Sequence, residues 1–174
     1  SYDEVYDLLK DCFGDGTIAE QILNNSHQLR LKYQEYSLER KQMIPKIDLP
    51  DYPASNERWR FSSHPLLNEL LTSDNIQERY WINECLRSLE EKGLLLYDEY
   101  LTRLETEADV IKDIGEKLDD CLFAYFNTFK HYIDLFWECG SIVGPGRGSA
   151  TGFLSNYLLG ITQLDPVRWG LPYW

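Results

Sequence analysis

A glycine-rich segment late in the sequence has the residue types that bind a phosphate group. Residues 144–149 read Gly-Pro-Gly-Arg-Gly-Ser and follow a short apolar run at 141–143. Glycines let the backbone approach a bulky anion and adopt positive φ angles, and Arg147 carries a permanently charged, planar group suited to phosphate oxygens. Ser149 offers a hydroxyl and could cap a following helix, whose first N–H groups would face the anion. The residue types in segment 144–149, Arg147 and Ser149 among them, therefore make it a candidate phosphate-binding loop.

The residue types in this loop leave a second interpretation open. The loop is not a Walker A motif, because no Lys-Ser or Lys-Thr pair follows its last glycine, and Ser149 stands where a G-x-G-x-x-G motif needs glycine. A kinase-type glycine loop joins two strands, whereas this one is expected to lead into a helix. Runs of Gly-Pro-Gly also occur in plain turns, so phosphate binding and a plain turn are both compatible with the loop alone.

Three amphipathic segments should form the helical core that carries the loop. Apolar residues recur at three- and four-residue spacing in segments 82–89, 101–111 and 122–136, with Gly93 and Gly140 placed as helix stops. We expect an aromatic stripe on the third segment to be core: Leu122, Tyr125, Phe126, Phe129, Ile133 and Phe136.

Two further elements should flank the loop. We predict a strand at 141–143 before it and, after it, a helix that ends at Gly160. One face of that helix would carry Ala150, Phe153, Leu154, Tyr157 and Leu158. The predicted fold class is therefore mainly α (α+β): a helical bundle with a short strand, a glycine loop and a helix.

The sequence contains no recognisable metal or disulfide site. Glu105 and Glu107 have the spacing of paired metal ligands on a strand, but in a helix they point about 200° apart, so we interpret them as part of a solvated acidic face. Four cysteines lie far apart without a C-x-x-C pair, and three histidines are equally scattered. We expect reduced, mostly buried thiols, histidines that are structural or lie at the surface, and no metal ligands.

Charge and hydropathy restrict the class of protein. The net charge is −12 over 174 residues, which argues against a stand-alone nucleic-acid binder because Lys and Arg supply most of that affinity. Only segments 28–60 and 140–174 are slightly basic, at +2 and +1. No apolar run is long enough to span a bilayer and the first residues do not resemble a signal peptide. We expect a cytoplasmic chain with no membrane contact.

The chain should consist of two parts. Residues 1–60 are expected to be a junction, with two helical stretches followed by a polar, basic connector that contains Pro45, Pro50 and Pro53. Residues 61–174 would hold the helical core and the loop.

Longer strings around the loop resemble one protein family. Residues 143–150 (VGPGRGSA), 157–162 (YLLGIT), 164–166 (LDP) and 170–171 (GL) closely resemble the C-family bacterial replicative DNA polymerases, the DNA polymerase III alpha subunit. Residues 100–107 (YLTRLETE), 110–112 (VIK) and 49–53 (LPDYP) resemble the family more loosely. Residues 151–153 and the helix at 122–137 depart from the family's usual sequence.

The resemblance implies a fold and a reaction. It implies that residues 61–174 are the N-terminal part of a palm with a nucleotidyltransferase fold like that of polymerase beta, and that residues 1–60 join it to a preceding domain. Gly146, Arg147, Gly148 and Ser149 would then hold the triphosphate of the incoming deoxynucleotide. Backbone N–H groups and the Ser149 hydroxyl would contact phosphate oxygens, and Arg147 would offset charge as pyrophosphate leaves.

The resemblance also indicates which parts of the enzyme to expect outside this sequence. In the family, two Mg²⁺ ions are held by an Asp-x-Asp that follows this region, and the chain has no Asp-x-Asp. We therefore expect no catalytic residue and no metal ligand in this chain, and no polymerase activity from it alone. The intact parent would bind Mg²⁺, deoxynucleoside triphosphate and primer-template DNA, with other replicase subunits as further partners.

One alternative from another class is left open. The chain could be a stand-alone, non-catalytic module that binds phosphate or a protein partner, with its acidic helices as the partner surface.

Overall fold

The structure is a computed structural model that describes residues 1–33, 43–50, 52, 54 and 58–173. The chain divides into two compact units, Ser1–Gln42 and Met43–Trp174. The described residues form helices and turns without a strand, which confirms the mainly α prediction. No described helix combines the length and the apolar character that crossing a membrane requires.

The first unit contains two helices, α1 (Tyr2–Phe13) and α2 (Gly16–Tyr33). The α1 helix begins with a capping box, in which the Ser1 hydroxyl accepts the Glu4 N–H and the Glu4 carboxylate accepts the Ser1 amino group. It ends at Gly14, whose φ of 66° is easily reached only by glycine. The two helices contact each other, and Ala19 is fully buried.

The second unit is a bundle of helices joined by short turns. It contains α3 (Pro65–Thr72), α4 (Ile76–Glu91), α5 (Asp98–Leu118), α6 (Phe123–Glu138) and α7 (Leu154–Leu158), with a 3₁₀ turn at Gly148–Gly152. The α4 helix begins where the Asn75 side chain accepts the Gln77 N–H. It ends before Gly93, whose φ is 69°, as the sequence predicts.

The core of this unit lies where α4 and α5 meet α3, α6 and α7. The Trp81 ring meets the Phe123 ring edge to face, with centroids 4.9 Å apart. Apolar side chains from all five helices complete the core. Its fully buried members include Leu67, Leu70, Ile82, Leu86, Leu89, Leu104, Ala108 and Leu154.

The described end of the basic connector packs on this core. The Thr128 hydroxyl donates to the Pro45 carbonyl at 3.1 Å, and Arg79 Nε donates to the Tyr52 carbonyl at 2.8 Å. Trp59 is 8% exposed. Residues 43–60 are therefore attached to the second unit through their described members, while residues 34–42 of the predicted connector, including Arg40 and Lys41, lie outside the described residues.

The prediction that the α6 aromatic stripe is core is wrong for much of its length. Phe123 at the start of the helix is 1% exposed, but Tyr125, Phe129 and Phe136 are 41%, 42% and 52% exposed. The periodicity correctly indicated an apolar helix face. It could not indicate that the described neighbours of α6 cover only its first turns.

The predicted strand at 141–143 is also wrong. These residues lie in coil between α6 and the loop, and Ile142 is 94% exposed. A strand needs a neighbour to pair its backbone N–H and C=O groups, and the described part of the chain supplies none.

The cysteines are unpaired, as predicted, but they are not mostly buried. Cys85 is buried in the core and Cys121 is partly buried, whereas Cys12 and Cys139 are exposed. Burial raises the pKa of the Cys85 thiol well above its usual value, so this side chain behaves as a neutral apolar group.

His64 fills a polar position between α3 and α5. It is 5% exposed, its Nδ1 lies 3.0 Å from Glu105 Oε2 and its Nε2 lies 3.0 Å from Asp98 Oδ1. Only the protonated ring can donate from both nitrogens. Burial lowers the pKa of His64, but the two carboxylate hydrogen bonds raise it more, and the net shift is upward from 6.5.

We expect this site to make stability fall as pH rises. A group with a raised pKa in the folded state stabilises fully below its unfolded pKa of 6.5, and this contribution disappears as pH passes the folded value. Urea unfolding followed by tryptophan fluorescence should show the loss above about pH 6.5. His64→Gln should abolish it, whereas the same change at the exposed His131 should leave it intact. An unchanged pH profile in His64→Gln would contradict this assignment.

Candidate phosphate-binding site

The predicted loop, residues 144–149, follows α6 and its last two residues begin the 3₁₀ turn; hydrogen bonds hold it near both ends. The Gln163 N–H donates to the Pro145 carbonyl at 2.8 Å, and the Thr151 hydroxyl donates to the Gly148 carbonyl at 2.8 Å. The loop is therefore held to the segment that follows α7 while its middle is left open.

Two of the loop glycines have backbone conformations that other residues rarely adopt. Gly146 has φ 131° and Gly148 has φ 58°. At Gly146 a Cβ atom would also lie 2.5 Å from Thr151 Cγ2 and 3.1 Å from Thr162 Cγ2. Gly146 is therefore required on two grounds, backbone angle and close packing.

The loop is exposed along its whole length. Residues 144–149 all lie at the surface, and Arg147 has an extended backbone with φ −146°. The Arg147 side chain makes no hydrogen bond or ion pair with another described residue, so its guanidinium group is available to a ligand. Arg168, the other arginine of segment 140–174, lies at the surface, with its guanidinium carbon 5.7 Å from the centroid of the Trp169 ring.

The structure places the four predicted residues in one loop but on different parts of it. Gly148 and Ser149 line a small cleft of about 220 Å³, together with Thr151, Gly152, Leu171 and Pro172. Gly146 and Arg147 precede this cleft along the chain.

The helix expected directly after the loop is broken in two. Gly148–Gly152 is a 3₁₀ turn, Phe153 is extended, and α7 has only five residues. Neither start has a side-chain cap, so the prediction that Ser149 caps a helix is wrong. The stop at Gly160 is confirmed, with φ 76°. Any anion at this loop would be held by Arg147 and by loop N–H groups rather than by a long helix dipole.

Glu107 explains why this short helix can begin without a local cap. Its carboxylate is fully buried and accepts the N–H groups of Leu154 at 2.7 Å and Ser155 at 2.8 Å. The same carboxylate accepts from Arg103 Nε at 2.8 Å. The interpretation of Glu107 as a solvated carboxylate is therefore wrong, because α5 turns it toward α7.

Arg103 connects α5 to the two chain segments on either side of the cleft. Its Nη2 donates to the Gly152 carbonyl at 2.5 Å and to the Leu171 carbonyl at 3.0 Å. These segments also touch directly, since a Cβ atom on Gly152 would overlap the carbonyl oxygen of Pro172. The Arg103 guanidinium carbon lies 4.9 Å from the centre of the Tyr173 ring.

Sequence reasoning missed the Arg103 and Glu107 side chains as parts of the site. Their i, i+4 spacing on a helix predicts an ion pair, but it does not say which side of the helix faces α7. In contrast, Glu105 points to the other side of α5, where it accepts from Leu66 N–H at 2.9 Å.

A divalent metal does not fit the described residues. Within them, no three His, Cys, Asp or Glu side chains are placed to hold a metal ion.

Comparison with known proteins identifies relatives for nearly the whole chain. The model of the bacterial DNA polymerase III alpha NTPase domain matches residues 67–174. A probable DNA polymerase, YorL, of Bacillus subtilis is 28% identical over 99% of this chain and 14% of its own length. A DNA polymerase III alpha subunit of Thermotoga maritima is 40% identical over 48% of this chain and 9% of its length.

The chain corresponds to a small part of each relative. A DNA polymerase III alpha subunit of Staphylococcus aureus is 36% identical over 61% of this chain, but over 9% of its own length, so the chain spans about a seventh or less of these relatives. No solved structure matches the chain.

Proposed function

Because the chain belongs to the bacterial DNA polymerase III alpha family, we propose that it is part of a DNA-directed DNA polymerase and binds the incoming deoxynucleotide. Residues 144–149 would hold the triphosphate. The observation that carries this proposal is the exposed loop with an unpaired Arg147 on a rigid core. The relatives named above support the polymerase reaction.

The charge distribution favours this loop as the place for a triphosphate. The chain has a net charge of −12, but segment 140–174 carries +1, so an anion meets less repulsion at the loop than over the acidic segments 1–27 and 74–120. Arg147 can donate two parallel hydrogen bonds to phosphate oxygens, and no described residue competes for it. Gly146 and Gly148 would bring backbone N–H groups close to the anion, and the Ser149 hydroxyl would reach it from the cleft.

The role of this loop in the reaction would be binding and orientation. Fixing the triphosphate aligns the phosphoryl group with the attacking primer oxygen, and Arg147 offsets the charge that develops on the leaving pyrophosphate. We assign no catalytic residue to this chain. Mg²⁺ and its carboxylate ligands would belong to other parts of the intact polymerase.

The same proposal covers the domain assignment and the partners. We propose that residues 61–174 form the N-terminal part of a palm of the polymerase beta type, and that residues 1–60 connect it to a preceding domain. The partners would be deoxynucleoside triphosphate, primer-template DNA and other replicase subunits, in the cytoplasm.

Photolabelling tests where the triphosphate binds. A deoxyadenosine triphosphate with an azidoanilide on its γ-phosphate should label a complete polymerase carrying this sequence within residues 144–151. Trypsin cleaves after Lys130, Arg147 and Arg168, so the label should fall on peptides 131–147 and 148–168. Excess unlabelled nucleotide should suppress it. Labelling confined to other peptides would contradict a triphosphate site at residues 144–149 and would favour the alternative of a non-catalytic module.

A further inference from the structure

We propose that Arg103 and Glu107 form a positioning pair that fixes the glycine loop for the triphosphate. This inference rests on the proposed function, since the loop that the pair would position is the proposed nucleotide site. Neither residue touches the proposed ligand, and both lie on α5, outside the loop.

The Glu107 carboxylate holds the start of α7. It is fully buried and accepts three hydrogen bonds, from Leu154 N–H, Ser155 N–H and Arg103 Nε. A buried carboxylate is costly unless its oxygens are satisfied, and here two of its three partners are the first backbone N–H groups of α7. The carboxylate therefore replaces the local cap that α7 lacks.

Arg103 holds the chain just before α7. Its Nη2 donates to the Gly152 carbonyl at the end of the 3₁₀ turn and to the Leu171 carbonyl. Its side chain is 18% exposed and that of Glu107 is fully buried, so water competes little for these bonds. The pair consequently fixes residues 152, 154 and 155 to a long helix.

The 3₁₀ turn and a hydrogen bond from α7 connect these contacts to the loop. Gly148 and Ser149 belong to the same 3₁₀ turn as Gly152, and the Asn156 side chain donates to the Ala150 carbonyl at 3.0 Å. A shift of α7 relative to α5 would therefore move Ser149 and Gly148 directly. Because catalysis and binding are sensitive to displacements near 1 Å, loss of the pair should weaken nucleotide binding without removing a ligand contact.

Hydrogen exchange in the 174-residue chain tests the structural half of this proposal. In Glu107→Gln the side-chain amide is uncharged, and its single oxygen cannot accept all three hydrogen bonds that the two carboxylate oxygens accept. Exchange at Leu154 and Ser155 should become about 10- to 150-fold faster, the range for losing a hydrogen bond to a charged group. Faster exchange should extend through residues 148–156 and should spare Ile82 and Leu86 in α4.

Glu105→Gln is the matched control, since Glu105 lies on the same helix and holds His64 and Leu66 instead. It should accelerate exchange near Leu66 and leave residues 148–156 unchanged. Arg103→Lys is a second variant that keeps the charge but replaces the separate Nε and Nη2 donors of Arg103 with one nitrogen, so it should give a smaller acceleration of the same residues.

Steady-state kinetics of a complete polymerase carrying this sequence test the functional half. Glu107→Gln should raise KM for deoxynucleotide about 10-fold or more and leave KM for primer-template within about twofold, whereas Glu105→Gln should change neither. If Glu107 only stabilised the fold, its replacement would not raise KM for deoxynucleotide while leaving KM for primer-template unchanged, at a temperature where all variants are folded.

The outcomes distinguish this inference from the proposed function. Exchange in Glu107→Gln that is unchanged at 148–156, or faster everywhere alike, would overturn the positioning role. If Arg147→Ala raises KM but Glu107→Gln does not, the positioning role is wrong and the triphosphate site stands. If local exchange accelerates but neither variant changes KM, the pair fixes the loop and the loop is not the triphosphate site.

Discussion

Replacing Arg147 with alanine in a complete polymerase carrying this sequence should raise KM for deoxynucleotide about 10- to 150-fold. The range corresponds to losing a charge-assisted hydrogen bond worth about 1.5–3 kcal/mol. Arg147 is exposed and bonds to no described residue, so its loss should leave the fold intact. The expected change in the free energy of unfolding is below about 0.5 kcal/mol, as for other surface positions.

Arg168 provides the control for charge alone. It is a surface arginine from the same basic segment, but it lies outside the loop. Arg168→Ala removes the same formal charge and should change KM by less than about threefold, because separated surface charges are largely screened by salt. Equal effects of the two substitutions would show that net charge, and not the loop, sets the affinity.

Replacing Phe123 with alanine should destabilise the second unit by about 3–5 kcal/mol. Phe123 is 1% exposed and packs against Trp81 in the middle of the core, so its loss leaves a cavity. Phe129, two turns later in α6, is 42% exposed and contacts Tyr125. Its replacement by alanine should cost less than about 1.5 kcal/mol, the upper range for an aromatic pair.

Tryptophan fluorescence during urea unfolding measures this difference in the right part of the chain. All five tryptophans lie in residues 43–174, so the signal reports the second unit. Similar losses of stability for Phe123→Ala and Phe129→Ala would mean that these two side chains are equally buried, contrary to the structure.

Helices were the part of the fold that sequence patterns predicted well. The apolar stripe Ile82, Leu86, Leu89 marks the buried face of α4, and Gly93 marks its end, because helix periodicity and positive φ are local properties. The mainly α class follows from these segments. The run at 141–143 shows the limit of the same reasoning, since β-branched residues favour a strand only where a partner strand exists.

Long-range contacts explain the remaining failures. The aromatic stripe of α6 is apolar whether or not anything covers it, so Phe129 and Phe136 could not be distinguished from Phe123 by pattern. Glu107 lies in a stretch of charged residues typical of a solvated helix face. Its carboxylate nevertheless accepts the backbone N–H groups of Leu154 and Ser155, 47 and 48 residues further along the chain. Its role depends on where α7 packs against α5, and the residues adjacent to Glu107 in the sequence do not reveal that packing.

The candidate loop itself was accessible from the sequence because glycine and arginine act through local chemistry. Gly146 and Gly148 have the positive φ angles that were the reason for expecting glycine there. The helix after the loop was not accessible, because Phe153 breaks it and its start is held by α5 rather than by Ser149.

The most direct test of the central claim compares binding of a triphosphate with binding of the same nucleoside without phosphates. Dissociation constants of deoxyadenosine triphosphate and deoxyadenosine should be measured for the wild-type polymerase and for Arg147→Ala. If residues 144–149 hold the triphosphate, the substitution should weaken triphosphate binding by about 10- to 150-fold and nucleoside binding by less than about twofold. A triphosphate site at residues 144–149 would be contradicted if the substitution weakened binding of both ligands equally, or if it weakened binding of neither.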